Sequence, residues 1–401
     1  MSSARRTTFG LLLAALTLSL GLPVISAASA PALDFVPASG AGAPRVGHYT
    51  PEAGALFNNP LGTQAQQRRL IRHMIRTIRS VPPRGTIRIA VFSFADQVTS
   101  RALIAAYRRG VRVRLIFAGH KVYPPMERVR REIGSDISER SFVVLCDRSC
   151  RGVAGQMHAK FFAFSRAGKA RHITMVGSNN LTKFNAEQQW SDLYTETNNE
   201  DYFKAFKGWF GQLKRDIPVA STFIRKELPG HRVSITPVDL AQTTDPLLDA
   251  MESVRCEVTM GELDPESLTP EVVVPTRVLI STHAWNGTRG VSLARRVAEL
   301  NQAGCAVQVF YGVGLGGAVS AILTNSAVTM SGGVTPGVNT HQKLLIVSGA
   351  IDGALATTRV VTGSHNWSTR ALGRDDVIVE ISEESVGLQY VSAFDRMWRK
   401  G

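Results

Sequence analysis

Acid is scarce in this chain of 401 residues: 32 Asp plus Glu stand against 46 Lys plus Arg, a net charge of +14. That balance excludes an acidic solvating protein. It favours anionic partners such as phospholipid headgroups, nucleic acid or wall polymers. Beyond the first ~30 residues no apolar run is long enough to span a bilayer, which excludes a polytopic membrane protein. The four cysteines lack the clustered Cys/His spacings of zinc sites, and no carboxylate cluster suited to a divalent ion is visible. No metal and no cofactor are therefore expected. Aromatic residues are only 7%, and no stacking platform for single-stranded nucleic acid can be read from them. What remains, 44% hydrophobic and 19% charged residues, describes a globular body long enough for two domains.

Residues 1–30 read as an export signal. Arg5 and Arg6 supply the positive start, Phe9 to Ile25 the apolar segment, and Ser26, Ala27, Ala28, Ser29 and Ala30 the small residues of a cleavage site. Its removal leaves +12. A secreted, extracellular protein follows, and with it an oxidising compartment for the cysteines.

The chain then repeats itself once. Leu70, Ile71, Met74, Ile75 and Ile78 recur at helical spacing between Thr63 and Ser80. An alternating strand from Thr86, a helix near Thr99 to Arg109 and a second strand from Val111 follow, implying a parallel pair with a crossover. The second half replays this order with a strand at Thr276, a helix from Arg289 to Asn301 and a strand at Cys305. Tyr202, Ala205 and Phe206 recur as Tyr390, Ala393 and Phe394, in helices carrying Trp209 and Trp398. Residues 227–247, with little periodicity, are the expected linker between domains at 45–226 and 248–401. Of the three possible cysteine pairings, Cys146 with Cys150 and Cys256 with Cys305 are expected, because each pair then stays within one half.

Each half also carries His-x-Lys and, downstream, Gly-Ser-x-Asn: His158, Lys160, Ser178 and Asn180 in the first, His341, Lys343, Ser364 and Asn366 in the second. On a strand, His and Lys two apart share a face. Turns near Gly168 and Asp352-Gly353 fold each segment into an antiparallel hairpin that returns Gly-Ser-x-Asn to His-x-Lys. Doubled across a two-fold interface, this set suits a phosphodiester. Ammonium, hydroxyl and amide donors hold the phosphate oxygens, one neutral imidazole attacks phosphorus, and the other protonates the leaving alcohol. Asp192 and Asp376, equivalent in the repeat, are the expected acceptors that orient the imidazoles.

These residues resemble the phospholipase D superfamily, whose signature is His-x-Lys-x4-Asp followed by Gly-Ser-x-Asn, present twice per chain in its lipases and synthases. The resemblance covers both halves. It implies an α/β fold of two phospholipase D-like α/β/α sandwich domains related by a pseudo-two-fold axis, with the active site in the cleft between them. It implies His158 as nucleophile and His341 as general acid. Lys160, Lys343, Asn180 and Asn366 would contact phosphate, supported by Ser178 and Ser364. One departure stands out: the signature Asp is Ser165 in one half and Ser348 in the other. The expected function is a secreted phospholipase D, a monomer acting on phospholipid at a membrane or micelle surface. A metal-independent endonuclease and a non-catalytic phosphate-binding protein are the alternatives.

Overall fold

The computed structural model describes residues 46–241, 243–259, 273–333 and 335–400. The expected export segment, residues 1–30, lies outside the described residues.

Two mixed sheets are built on the same plan. The first has seven strands in the order Gly54–Phe57, Asp192–Glu196, Ala170–Gly177, Lys160–Ala167, Thr86–Val91, Arg112–Ala118 and Phe142–Cys146. Its last three strands are parallel and the others antiparallel. The second runs Thr329–Ser331, Ala306–Leu315, Arg277–Asn286, Lys343–Ile351, Ala354–Gly363, Val377–Ile381, His231–Ile235 and Ile224–Leu228. His231–Ile235 and the last two residues of Ile224–Leu228 fall in the stretch expected to be a linker. It opens instead with a hairpin paired to Val377–Ile381 (Val233 opposite Val379), where the first sheet adds Gly54–Phe57 to its own matching strand. The alternation of Arg232, Val233 and Ser234 is a strand pattern too short to stand out beside the flanking prolines.

Outer helices cover one face of each sheet. Helix Arg69–Ser80 buries Leu70, Ile71, Met74, Ile75 and Ile78 and leaves Arg69, Arg72, Arg76 and Arg79 exposed, as its periodicity dictates. The helical stretch expected from Thr63 is divided. Thr63 and Gln66 close a capping box on the short helix Gln64–Gln67 before the longer one begins. Between the sheets lie helices Glu200–Leu213 and Glu384–Trp398. One continuous apolar core there joins Phe161, Tyr202, Phe206 and Trp209 of the first half to Val360, Val377, Tyr390 and Phe394 of the second. The two repeats therefore share a core instead of touching across a wet seam. Disulfides join Cys146 to Cys150 and Cys256 to Cys305.

Candidate active site

The site forms where the two halves cross. His158 and Lys160 stand at the start of one central strand, His341 and Lys343 at the start of its counterpart, and all four are buried. Each histidine is pinned by the opposite half. His158 N donates to Asp375 O at 3.0 Å, and His341 N donates to Trp190 O at 2.8 Å beside a short parallel ladder pairing Thr340 with Trp190. Gly-Ser-x-Asn returns to the same edge, as the hairpin geometry requires. Its glycines permit close strand approach: a Cβ on Gly177 would lie 2.2 Å from Asp192 O, and one on Gly363 2.1 Å from Val377 O.

The two imidazoles have different partners. His158 Nδ1 lies 2.7 Å from Asp376 Oδ1, a carboxylate of the other half. His341 Nδ1 lies 2.8 Å from the Ser178 carbonyl oxygen. Neither oxygen carries a proton to give, so Nδ1 donates in both rings and Nε2 keeps its lone pair. Asp192 differs from its expected role and does not orient His341. Its carboxylate accepts from Ser178 Oγ at 2.6 Å, Thr362 Oγ1 at 2.5 Å and Tyr390 OH at 3.1 Å. The serines differ as well. Ser178 Oγ donates to Asp192, Ser364 Oγ donates to Asp376 at 2.5 Å, and each hydroxyl oxygen accepts a backbone N–H. Their protons are committed to the carboxylates, so these hydroxyls brace the site instead of donating to phosphate. Asn180 Oδ1 accepts from Ser93 N at 3.2 Å, and the Asn366 carbonyl accepts from Arg289 at 2.8 Å. Asn180 is thus held at the motif edge through its side-chain oxygen, and Asn366 through its backbone carbonyl.

Burial and crowded cations set the charges. His158 is pushed down to about 3 by burial and by Lys160, against the pull of Asp376. Burial and then Lys343 take His341 well below the usual imidazole range. Burial brings Lys160 down to about 7 and also takes Lys343 well below the usual lysine range, with Lys160 adding repulsion. Burial alone would raise Asp376, but His158, Lys160 and Ser364 outweigh it and keep the carboxyl ionised. For Asp192 burial prevails and raises it. A free site of neutral imidazoles, two lysines whose positive charge is suppressed by burial, and one firmly ionised carboxylate gains from receiving an anion, which restores the lysine charge.

Several residues escaped the sequence analysis. Phe92 and His283 each follow the residue paired with a motif lysine (Val91 with Lys160, Thr282 with Lys343), so they are repeat-equivalent. Their rings lie 4.7 Å from His158 and His341 respectively. His120 stacks on Phe92 at 4.4 Å. Arg374 depresses His120, His158, Lys160 and Lys343 by its charge. Asp375 Oδ2 accepts from Cys150 N at 2.6 Å and Ser149 Oγ at 2.9 Å, tying the Cys146–Cys150 loop to the segment that pins His158. Superposing the two halves of the repeat would have found Phe92 and His283; the others come from loops without a repeat signal. Ser165 and Ser348 lie away from this edge. Ser165 Oγ accepts from Thr86 N at 2.9 Å, and Ser348 Oγ meets Thr358 Oγ1 at 3.2 Å.

Residues 74–214 match the family described as cardiolipin synthase, PLD-like domain. Phosphatidylserine synthase from Haemophilus influenzae superposes with a TM-score of 0.52 at 12% identity, over 87% of this chain and 88% of that one. Polyphosphate kinase from Porphyromonas gingivalis also gives 0.52, at 11% identity over 86% of this chain, which spans half of that enzyme's length. No curated protein matches the sequence. The matched stretch holds His158, Lys160, Ser178, Asn180 and Asp192 and is a phospholipase D-like domain. The chain as a whole has the phospholipase D-like fold.

Proposed function

We propose that the protein is a phosphodiesterase of the phospholipase D type that hydrolyses the headgroup diester of glycerophospholipids through a phosphohistidine. The observation that carries this reading is the pair of unlike imidazoles brought together from opposite halves, with only His158 backed by a carboxylate.

His158 is the nucleophile. Its Nε2 lone pair attacks phosphorus, forming an N–P bond, and the P–O bond to the headgroup alcohol breaks. The imidazole becomes cationic on phosphorylation, and Asp376 at Nδ1 is placed to balance that charge. His341 gives its Nε2 proton to the departing oxygen. Its partner is a neutral carbonyl, so its proton must come with the substrate: the bound diester supplies the negative charge that lets the ring hold it. Water then gives a proton to His341 and attacks phosphorus, the N–P bond breaks, and His341 sheds the proton it gained to solvent as the anionic product leaves, which restores the free enzyme. Lys160, Lys343, Asn180 and Asn366 hold the non-bridging oxygens. The export reading of residues 1–30 and the two disulfides support a secreted enzyme.

A second reading, a metal-independent nuclease, draws on the exposed arginine row Arg69, Arg72, Arg76 and Arg79 along a helix that contains no acid. One set of assays tests both. Purified protein with EDTA present is expected to form phosphatidic acid from mixed phospholipid micelles and to lose that activity as His158→Ala. EDTA-resistant DNA cleavage without phosphatidic acid would transfer the assignment to a nuclease. Neither activity, with His158→Ala binding phosphate-bearing ligand like wild type, would leave a binding protein.

A further inference from the structure

The two halves differ at one position beside the reacting histidines. In the first half it holds Phe92, covered by His120. In the second half it holds His283, whose ring centroid is 4.7 Å from that of His341. His283 Nδ1 lies 3.0 Å from the Thr340 carbonyl oxygen, which can only accept. Nδ1 therefore carries the proton and Nε2 is the ring's acceptor atom, with the Asn339 side chain also hydrogen-bonding this ring from the cavity wall. Both rings line a cavity of about 650 Å³ together with Asn180, Tyr123, Asn339 and Lys183. No carboxylate lines it among the described residues, and Lys183, its one charged group, is 79% exposed. Burial, followed by Lys343, pushes the ring down to about 4, so it is neutral at neutral pH.

This chamber adjoins the histidine to which we assign protonation of the leaving oxygen, and the argument rests on that assignment. The rest of the leaving alcohol then lies against His283. An acceptor there calls for a donor. A quaternary ammonium has none to give, and an ammonium ion of any kind finds no carboxylate in the wall. We propose that His283 selects a neutral alcohol bearing a further hydroxyl, a glycerol-type headgroup or acceptor, by accepting a hydrogen bond from that hydroxyl at Nε2. A site built to pair a substrate hydroxyl rejects the analogue that lacks it.

The test needs no lipid. The incoming alcohol in phosphoryl transfer occupies the place of the leaving one. With bis(p-nitrophenyl) phosphate as donor, glycerol and 1-propanol compete as acceptors, and the two mixed diesters are separated by chromatography. Wild type is expected to favour glycerol by about tenfold or more. His283→Phe, which installs the ring that the first half carries, is expected to collapse the ratio to within about twofold of unity, while His283→Gln, whose amide oxygen still accepts, retains it. A wild-type ratio near unity, or a His283→Phe ratio equal to that of wild type, overturns the proposal. Phosphatidylglycerol and phosphatidylcholine are assayed in parallel. Glycerol preference on the chromogenic diester without turnover of either lipid sinks the lipid assignment and leaves His283 its role. No turnover of the chromogenic diester overturns the phosphodiesterase assignment and the His283 proposal with it.

Discussion

Lowering the pH by less than two units should sharply destabilise this protein, because it buries neutral imidazoles. His73 and His283 are pushed down to about 4 and His158 and His365 to about 3, each by burial first, and His341 lies well below the usual range. In the unfolded chain all five titrate near 6.5. Below that pH the unfolded state takes up protons that the folded state refuses, so stability falls as pH falls, down to the folded values. Two carboxyls act in the opposite direction. Burial raises Asp375 to about 7 and also raises Asp192, so the folded state holds their protons while the unfolded chain releases them. His73, His158, His283 and His365 against Asp375 leave a net difference that approaches three protons, or about 4 kcal/mol per pH unit, as the pH falls from 6.5 toward 5, while His341 and Asp192 pull in opposite directions. Because the unfolded imidazoles are only half protonated at pH 6.5, the loss over that interval is about 5 kcal/mol, the lower end of the whole stability of a typical domain. Guanidinium unfolding followed by circular dichroism, with disulfides intact, should show it directly. Thermal midpoints should fall by on the order of 10 °C. His365 offers the sharpest control, because neither ring nitrogen has a hydrogen-bond partner among the described residues. His365→Leu removes one titrating group without orphaning another, so the slope should drop by about 1.4 kcal/mol per pH unit. Equal wild-type stability at pH 5 and pH 7, or a His365→Leu slope identical to wild type, would refute the reasoning.

Other consequences follow from the same geometry. Asp376→Asn should cut kcat by about a thousandfold, since the nucleophile loses the partner of its cationic state, whereas Asp192→Asn should cost about 1–3 kcal/mol of stability and far less activity; steady-state kinetics and denaturant midpoints on both variants separate the two, and equal losses of kcat would contradict the assigned asymmetry. Because the free enzyme holds His341 unprotonated, kcat/KM should decline steadily as pH rises from 6 to 8, with a shallower decline in kcat once the diester is bound; a flat kcat/KM profile would argue against His341 as the acid. Cys146→Ser with Cys150→Ser frees the loop tied to Asp375 and should lower kcat with little change in KM, measured under identical oxidising conditions. Ser165→Asp should leave kcat within about twofold of wild type, because that side chain bonds the far end of a neighbouring strand.

The repeat was legible because it rests on strands and helices whose periodicity the sequence displays. His-x-Lys, the turn and Gly-Ser-x-Asn lie within one hairpin, so local geometry alone brings them together. What lies between the halves was not legible in that way. The partner of His158 is Asp376, far along the chain, and only the crossing of the two lobes makes them meet. The repeat pattern assigned Asp192 and Asp376 the same role, but similarity between two halves does not impose identical hydrogen bonds. A carbonyl at Ser178 reaches His341 first, and three hydroxyls occupy Asp192. The strand His231–Ile235 was not legible for a related reason: a five-residue strand depends on its neighbour for hydrogen bonds, and its own residues carry too weak a pattern.

The cross-pinning of each motif strand by the opposite lobe has a bearing on how ligands come and go. A clamshell opening would tear the Trp190 and Asp375 carbonyls from the very segments that carry the reacting rings, and would split an apolar interior running through both lobes. A ligand that reaches this site with those contacts intact does so without domain closure.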